Sequence, residues 1–360
     1  MDFNKEPPHS DQLITHDDRP FNAEPPLDAL LEHPVTPERL DVDARGFTVK
    51  VDGLVEEPAE YSHANLRRQF PKSEVVSALQ YAGNRRKSMQ DKKRQPVEGL
   101  LWGEGTICNV RWGGVRLRNL LTQARIKTEE ASANLHVCFA SFVSACEEDD
   151  WFGASIPLEK ALDNFGDCLL AYEMNGETLT PDHGHPFRMV VPGHSGARWV
   201  KWVNRITVAG HESGNYYQQK DYKILPPNVR THDMADDDDW WSKVPALQET
   251  PLNSVIGTAR VLDSTLYLKG YAVGTTQAQV KTVEVSIDGR TWLPAQIFYQ
   301  EDRWSWTLWE ATVSLPGETR NGIVYSRAVD GLGNVQTQDV GWNLRGVAYS
   351  AVGEKPFEAS

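Results

Sequence analysis

The sequence predicts an α+β chain in two parts, a mixed first domain over residues 1–245 and a β-sandwich over 246–360. Three observations lead there. A length of 360 residues suits about two domains. Up to about residue 225, short strand patterns and helical patches alternate without a regular strand–helix–strand repeat. After about residue 246 the pattern changes to evenly spaced alternating runs, closed by Asp-Gly and Gly-Asn turns.

Residues 1–40 are rich in proline and acids and read as an extended arm laid on a domain. FTVKVDG, at 47–53, alternates and ends in Asp-Gly, the pattern of a strand. An apolar run through Val75, Val76, Ala78 and Leu79 reads as a buried strand. It delivers Tyr81, a small turn at 82–84, and the adjacent Arg85 and Arg86. Residues 134–139 read as a strand and 158–162 as a short helix. Residues 189–193 and 199–208 are strand-like, and the acidic run at 233–239 reads as solvated linker. In the second part, 266–273, 280–287, 304–309 and 323–330 are strands. Trp240, Trp241, Trp304, Trp306 and Trp309 read as packing units rather than platforms for sugars or bases.

Charge narrows the function. A net charge of −13 argues against a nucleic-acid partner. No apolar run nears the roughly 20 residues that span a bilayer, and the first residues lack a secretory signal pattern. Cys108, Cys138, Cys146 and Cys168 show no metal or redox spacing and read as reduced thiols. The expected compartment is the cytoplasm, with mitochondrion and peroxisome left open. Yet ten Lys and Arg face three acids between Arg85 and Arg125, and Arg188, Arg198, Lys201 and Arg205 follow. An acidic chain that gathers cations in its middle is building an anion site.

Three segments hold those cations: LQYAGNRR (79–86), DHGHPFR (182–188) and GARWVKW (196–202). They offer guanidinium groups and imidazole from loop ends, the chemistry that an oxyanion or a phosphate requires. A transition-metal site at His183, His185 and His194 is a less favoured alternative. With AYEMNG (171–176), these segments resemble the sulfite oxidase family of molybdenum enzymes, which includes the nitrate reductase molybdenum domain. The resemblance runs from RPFNAEPP (19–26) to WNLRGV (342–347), nearly the whole chain.

That resemblance implies a molybdopterin-binding α+β domain followed by an immunoglobulin-like domain through which two copies dimerise. By motif position, Asn84, Arg85, His183, Arg188, Arg198 and Lys201 would hold the molybdenum–molybdopterin cofactor. Arg86, Trp102, Arg198, Tyr222 and Arg345 would form the pocket for sulfite or a similar small oxyanion. The implied reaction is oxygen-atom transfer giving sulfate, and Arg345 within WNLRG favours the sulfite-type branch over the nitrate-type. No haem motif is found, so the expected electron acceptor lies outside the chain.

The sequence departs from the family at three places. The cysteine that ligates molybdenum precedes Ala-Gly-Asn-Arg-Arg in the family, and Tyr81 stands there. A hard phenol replaces a soft thiolate, and it either ligates the metal or fills its space. Cys108 reads as belonging to a different strand and is not expected to replace that thiolate. An Arg-Asn-His segment is shortened away between 35–41 and Phe47, although Arg45 is near, and a cofactor-contacting Asp of the family falls near Val143. Two readings stay open at this level: an active oxidoreductase, and a catalytically impaired homologue that keeps the pocket and the dimer scaffold.

Overall fold

The structure, a computed structural model, describes residues 14–18, 21–24, 46–127, 134–143, 145–317 and 319–358. Residues 35–41 and Arg45 lie outside them. A hairpin of β1 (Ile14–Asp18) and β2 (Phe21–Glu24) is the described part of the arm.

Two sheets build the first domain. One runs β4 (Ala59–Ser62), β3 (Thr48–Gly53), β12 (Arg205–Ala209), β7 (His136–Ser141), β8 (Phe152–Pro157), with β3 and β12 parallel. The other runs β10 (Glu177–Thr178), β9 (Leu169–Met174), β6 (Ile107–Arg116), β5 (Ser73–Gln80), and β11 (Arg188–Val190) also pairs with β9. Alternation holds in β3, where Val49 and Val51 are buried and Lys50 is exposed. In β5 the run from Val75 to Ala78 is buried throughout, as a continuous apolar strand requires. Val49, Val51, Phe139, Ile156 and Ile206 belong to one core cluster with Trp112 and Trp199, whose rings meet edge-on at 5.8 Å.

The second domain pairs the sheet β13 (Asn253–Leu262), β14 (Thr265–Val273), β18 (Thr307–Ser314), β17 (Gln296–Gln300) with the sheet β16 (Leu293–Pro294), β15 (Val280–Ser286), β19 (Asn321–Asp330), β20 (Gly353–Glu358). Ile256, Leu268, Val283, Trp309, Val324 and Phe357 fill its core. Among the described residues, no helix is long and apolar enough to cross a membrane.

Two expectations are corrected. Residues 199–208 are strand only over Arg205–Ala209. Gly196–Arg198 form a 3-10 turn and Trp202 takes φ 55°, so Trp199, Val200 and Val203 reach the core from a loop. Its backbone is satisfied piecewise, with Met189 N–H donating to Val200 O at 2.8 Å and Val203 N–H to Phe187 O at 3.0 Å. The acidic run at 233–239 is not linker either. His232–Asp237 is a helix capped by Thr231, whose hydroxyl accepts Met234 N–H at 3.2 Å, and Asp233 in its first turn suits the positive end. Asp236 accepts from Lys220 Nζ at 2.9 Å and Trp241 Nε1 at 3.0 Å, which holds the run against the domain.

The two domains are joined through the turn after β5. Arg85 is buried and donates from Nη1 to Asn253 Oδ1 at 2.8 Å and Ala351 O at 2.6 Å. Its guanidinium lies 5.0 Å from the centre of the Tyr349 ring. Asn84 donates to the Tyr271 hydroxyl at 2.9 Å, and that hydroxyl donates to Glu104 O at 2.8 Å. Trp304 closes a second seam, accepting Ala78 N–H on its carbonyl at 2.9 Å. Arg85→Met buries no replacement donor and leaves Asn253 Oδ1 and Ala351 O to Gln336 Nε2 alone. We expect it to lower unfolding stability by about 3 kcal/mol, read as a drop in the urea midpoint.

Candidate active site

The site begins where β5 ends. Asn84 N–H and Arg86 N–H donate back to Tyr81 O and Gly83 O, and Arg85 takes φ 67°, so the strand turns directly into the helix Arg86–Lys93. A left-handed residue between β5 and the helix sends the two adjacent guanidinium groups apart. Arg85 enters the domain seam and Arg86 enters the pocket.

Arg86 is 2% exposed and donates from Nη1 to Leu100 O at 2.9 Å. Its slot depends on glycine. A Cβ on Gly99, at φ 96°, would lie 2.6 Å from Nη1, and one on Gly346, at φ 56°, would lie 2.6 Å from the Arg86 Cγ. The Tyr81 ring sits 5.8 Å from the Arg86 guanidinium and meets Trp102 and Tyr222 edge-on, at 5.8 and 6.3 Å. The phenol oxygens of Tyr81 and Tyr222 are 3.4 Å apart. Burial, then the neighbouring Tyr81 and Asp221, hold the Tyr222 phenol well above its ordinary range, so it stays a proton donor at neutral pH.

Arg345 comes from the far end of the chain. Its Nη2 pairs with Asp221, and its Nη1 lies 3.4 Å from Glu98 Oε2. Burial opposes its charge, but Asp221 and Glu98 outweigh that and keep it protonated. Glu98 is also joined to His232 Nε2 at 2.6 Å, and its N–H donates to Leu344 O at 2.8 Å.

A third group surrounds the turn at 180–188. Thr180 Oγ1 and His183 Nδ1 are 2.6 Å apart, Arg188 Nη1 donates to His183 O at 3.0 Å, and Lys201 Nζ donates to Asp182 O at 2.9 Å. Arg188 lies 4.7 Å from the centre of the Trp112 ring. Burial pushes Arg188 down to about 10, which leaves it charged at neutral pH.

A cavity of about 920 Å³ connects these groups. Tyr81, Arg86, Trp102, His183, Arg188, Lys201, Tyr222 and Arg345 all line it. Asn84 and Arg85 do not, because the domain seam holds them. Arg198 does not line it either: it is fully buried, donating from Nε to Leu247 O at 2.9 Å and from Nη1 to Gln218 Oε1. A histidine metal site is not formed, since no cluster of three His, Cys, Asp or Glu side chains among the described residues is fit to hold a metal.

The cavity also contains what the sequence did not announce. Cys108 lies on a different strand, β6, as expected, but it pairs with Leu79 of β5 and lines the same cavity as Tyr81. Cys146 and Glu147, three and four residues after Val143, line it too, as does Trp202. Strand register brings Cys108 in, and register is not readable from one strand alone.

The donor set fits an anionic, pterin-sized group. The Nε atoms of Arg86, Arg188 and Arg345 are buried without a hydrogen-bond partner, and all three side chains line the cavity. Such atoms are costly to leave unmet, and a bound anion would meet them. The sulfur donor expected at position 81 is a phenol, already engaged with Tyr222.

Comparison with known proteins decides the family. The model of the oxidoreductase molybdopterin binding domain matches residues 33–217, and that of the Mo-co oxidoreductase dimerisation domain matches 245–352. The chain belongs to the sulfite oxidase family. Sulfite oxidase from Gallus gallus is 40% identical over 97% of this chain and 78% of its own length. Sulfite oxidase from Arabidopsis thaliana is 38% identical, covering 96% and 94%. An NADH nitrate reductase from Lotus japonicus is 35% identical over 91% of this chain but only 39% of its own. In fold, the sulfane dehydrogenase SoxCD from Paracoccus pantotrophus aligns with a TM-score of 0.74 at 24% identity, covering 94% of this chain and 86% of that one. The first domain of this family member is therefore a molybdopterin-binding domain.

Its other thiols are quiet. Burial raises Cys168 to about 12 and Cys138 to about 11. Raised values leave the protonated form dominant, so at pH 8 the thiolate fractions are on the order of 10⁻⁴ and 10⁻³. Iodoacetamide at pH 8 should leave Cys168 unlabelled in the native protein and label it fully in urea, as read by peptide mass spectrometry.

Proposed function

We propose that this chain is a molybdenum-cofactor oxidoreductase that converts sulfite to sulfate. The observation that carries the reading is the meeting of Arg86, Arg345 and Tyr222 with His183, Arg188 and Lys201 around one cavity, in a member of the sulfite oxidase family. The two ends of the cavity divide the work. His183, Arg188 and Lys201 would hold the pterin phosphate and ring. Tyr81 stands where the family's protein ligand to molybdenum stands, and the Cys108 thiol shares the cavity. When bound, the cofactor supplies the transferable oxygen and takes up two electrons.

The chain's own residues then do four things. Arg86 and Arg345 neutralise a dianion and the charge that shifts onto oxygen as the product forms. Tyr222, kept protonated, donates to an oxygen of the substrate. Trp102 and the Tyr81 ring wall off water beside Arg86. Electrons leave to an acceptor outside the chain, and two copies associate through residues 246–360. Four free cysteines support a reducing compartment, the cytoplasm.

The test is expression in a host that makes the cofactor, followed by molybdenum and pterin analysis and a sulfite-dependent ferricyanide assay. The reading expects about one molybdenum per chain and measurable turnover. Arg86→Gln should lower kcat/KM by about 10²–10³-fold with molybdenum content unchanged. Cofactor content without turnover would overturn the oxidoreductase reading, and absence of the pterin would overturn the pocket reading as well.

A further inference from the structure

The cavity's two substrate-facing arginines are not equally available. Arg86 makes no close ion pair with a carboxylate among the described residues and feels Asp221 only at longer range, whereas Arg345 pairs with two, Asp221 and Glu98. An incoming dianion must therefore compete for Arg345. The carboxylates differ in how firmly they stay. The Asp221 side chain is 11% exposed and pairs tightly. The Glu98 side chain is 37% exposed, and its Oε2 stands 3.4 Å from Arg345 Nη1 but 2.6 Å from His232 Nε2, so the two donors compete for one oxygen. His232 is itself fixed, with its ring 5.4 Å from that of Trp241. Glu98 is thus shared between a cation that lines the cavity and an imidazole that does not line it.

We propose that Glu98 and His232 are positioning residues that set the cavity's affinity for oxyanions, Glu98 as a displaceable counter-charge on Arg345 and His232 as the anchor that draws Glu98 away from it. The proposal rests on the reading of Arg345 as an anion contact. Removing the carboxylate frees Arg345 and tightens anion binding. Removing the imidazole releases Glu98 toward Arg345 and weakens it. Without Glu98, His232 has nothing to hold, and its loss has no effect. A partly exposed charge pair supports shifts of several-fold and no more.

Sulfate binding to the cofactor-loaded protein, measured by calorimetry at fixed ionic strength, tests this. Glu98→Gln should lower the sulfate Kd about fivefold, His232→Ala should raise it about threefold, and the double variant should match Glu98→Gln. Merely structural roles would weaken binding in all three. Thermal unfolding of each variant identifies a folding failure, in which case Glu98→Ala repeats the arm. A wild type that binds sulfate beside a Glu98→Gln that binds no tighter overturns this proposal alone. So does a His232→Ala effect that persists in the Glu98→Gln background. Sulfate binding to neither wild type nor Glu98→Gln overturns this proposal and the anion-pocket reading together.

Discussion

The left-handed turn at Arg85 is the constraint on which the rest depends. A strand of buried apolar residues must stop, and a helix must start, across the five residues 81–85. The chain does so with φ 67° at a non-glycine position. Such a conformation costs on the order of 1 kcal/mol and is kept only where the surroundings fix it. Here the surroundings do. The terminal nitrogens of Arg85 donate to oxygens of the second domain, and the adjacent Arg86 lies in a slot whose walls are glycines. One backbone conformation thus binds the domains together and arms the pocket.

Electrostatics explains why an acidic protein can hold such a pocket. With a net charge of −13 the surface as a whole repels anions. The cavity works against that background through cations that are buried and only partly neutralised, where an ion pair is stronger and less screened than at the surface. Arg188 shows the cost, since burial draws it down to about 10. Tyr222 shows the benefit, since the same burial keeps its proton in place. Tyr81 lines the same cavity. Its phenol is a hard donor that already shares a hydrogen bond with Tyr222, and the sulfurs that share its cavity are those of Cys108, on the neighbouring strand, and Cys146.

Much of this was legible in the sequence, for identifiable reasons. Alternation and turn chemistry marked β3, β14, β15 and β19, because those strands bury one face and end at Asp-Gly or similar turns. The segment at 79–86 could be read because an apolar strand followed by cations is unusual. The failures are just as specific. Trp199, Val200 and Val203 are apolar and buried, but a loop buries them, and composition does not separate loop from strand. The acidic run became a helix because Thr231 caps it, a local signal that the charge run masked, and because Trp241 and the more distant Lys220 tie down Asp236. Asn84 and Arg85 carry the family motif, and the structure uses them to join domains. Cys108, Glu98 and His232 were invisible as site residues because each acquires its place through pairing across the fold.

Arg345 lies in the stretch of chain that also builds the second sandwich, yet its guanidinium forms a wall of the cavity in the first domain. The stretch matched by the dimerisation-domain model therefore also supplies part of the cavity's lining. A chimera that exchanged the final hundred residues for those of a relative would transplant part of the recognition surface along with the association surface, so that assembly and selectivity would evolve as linked traits.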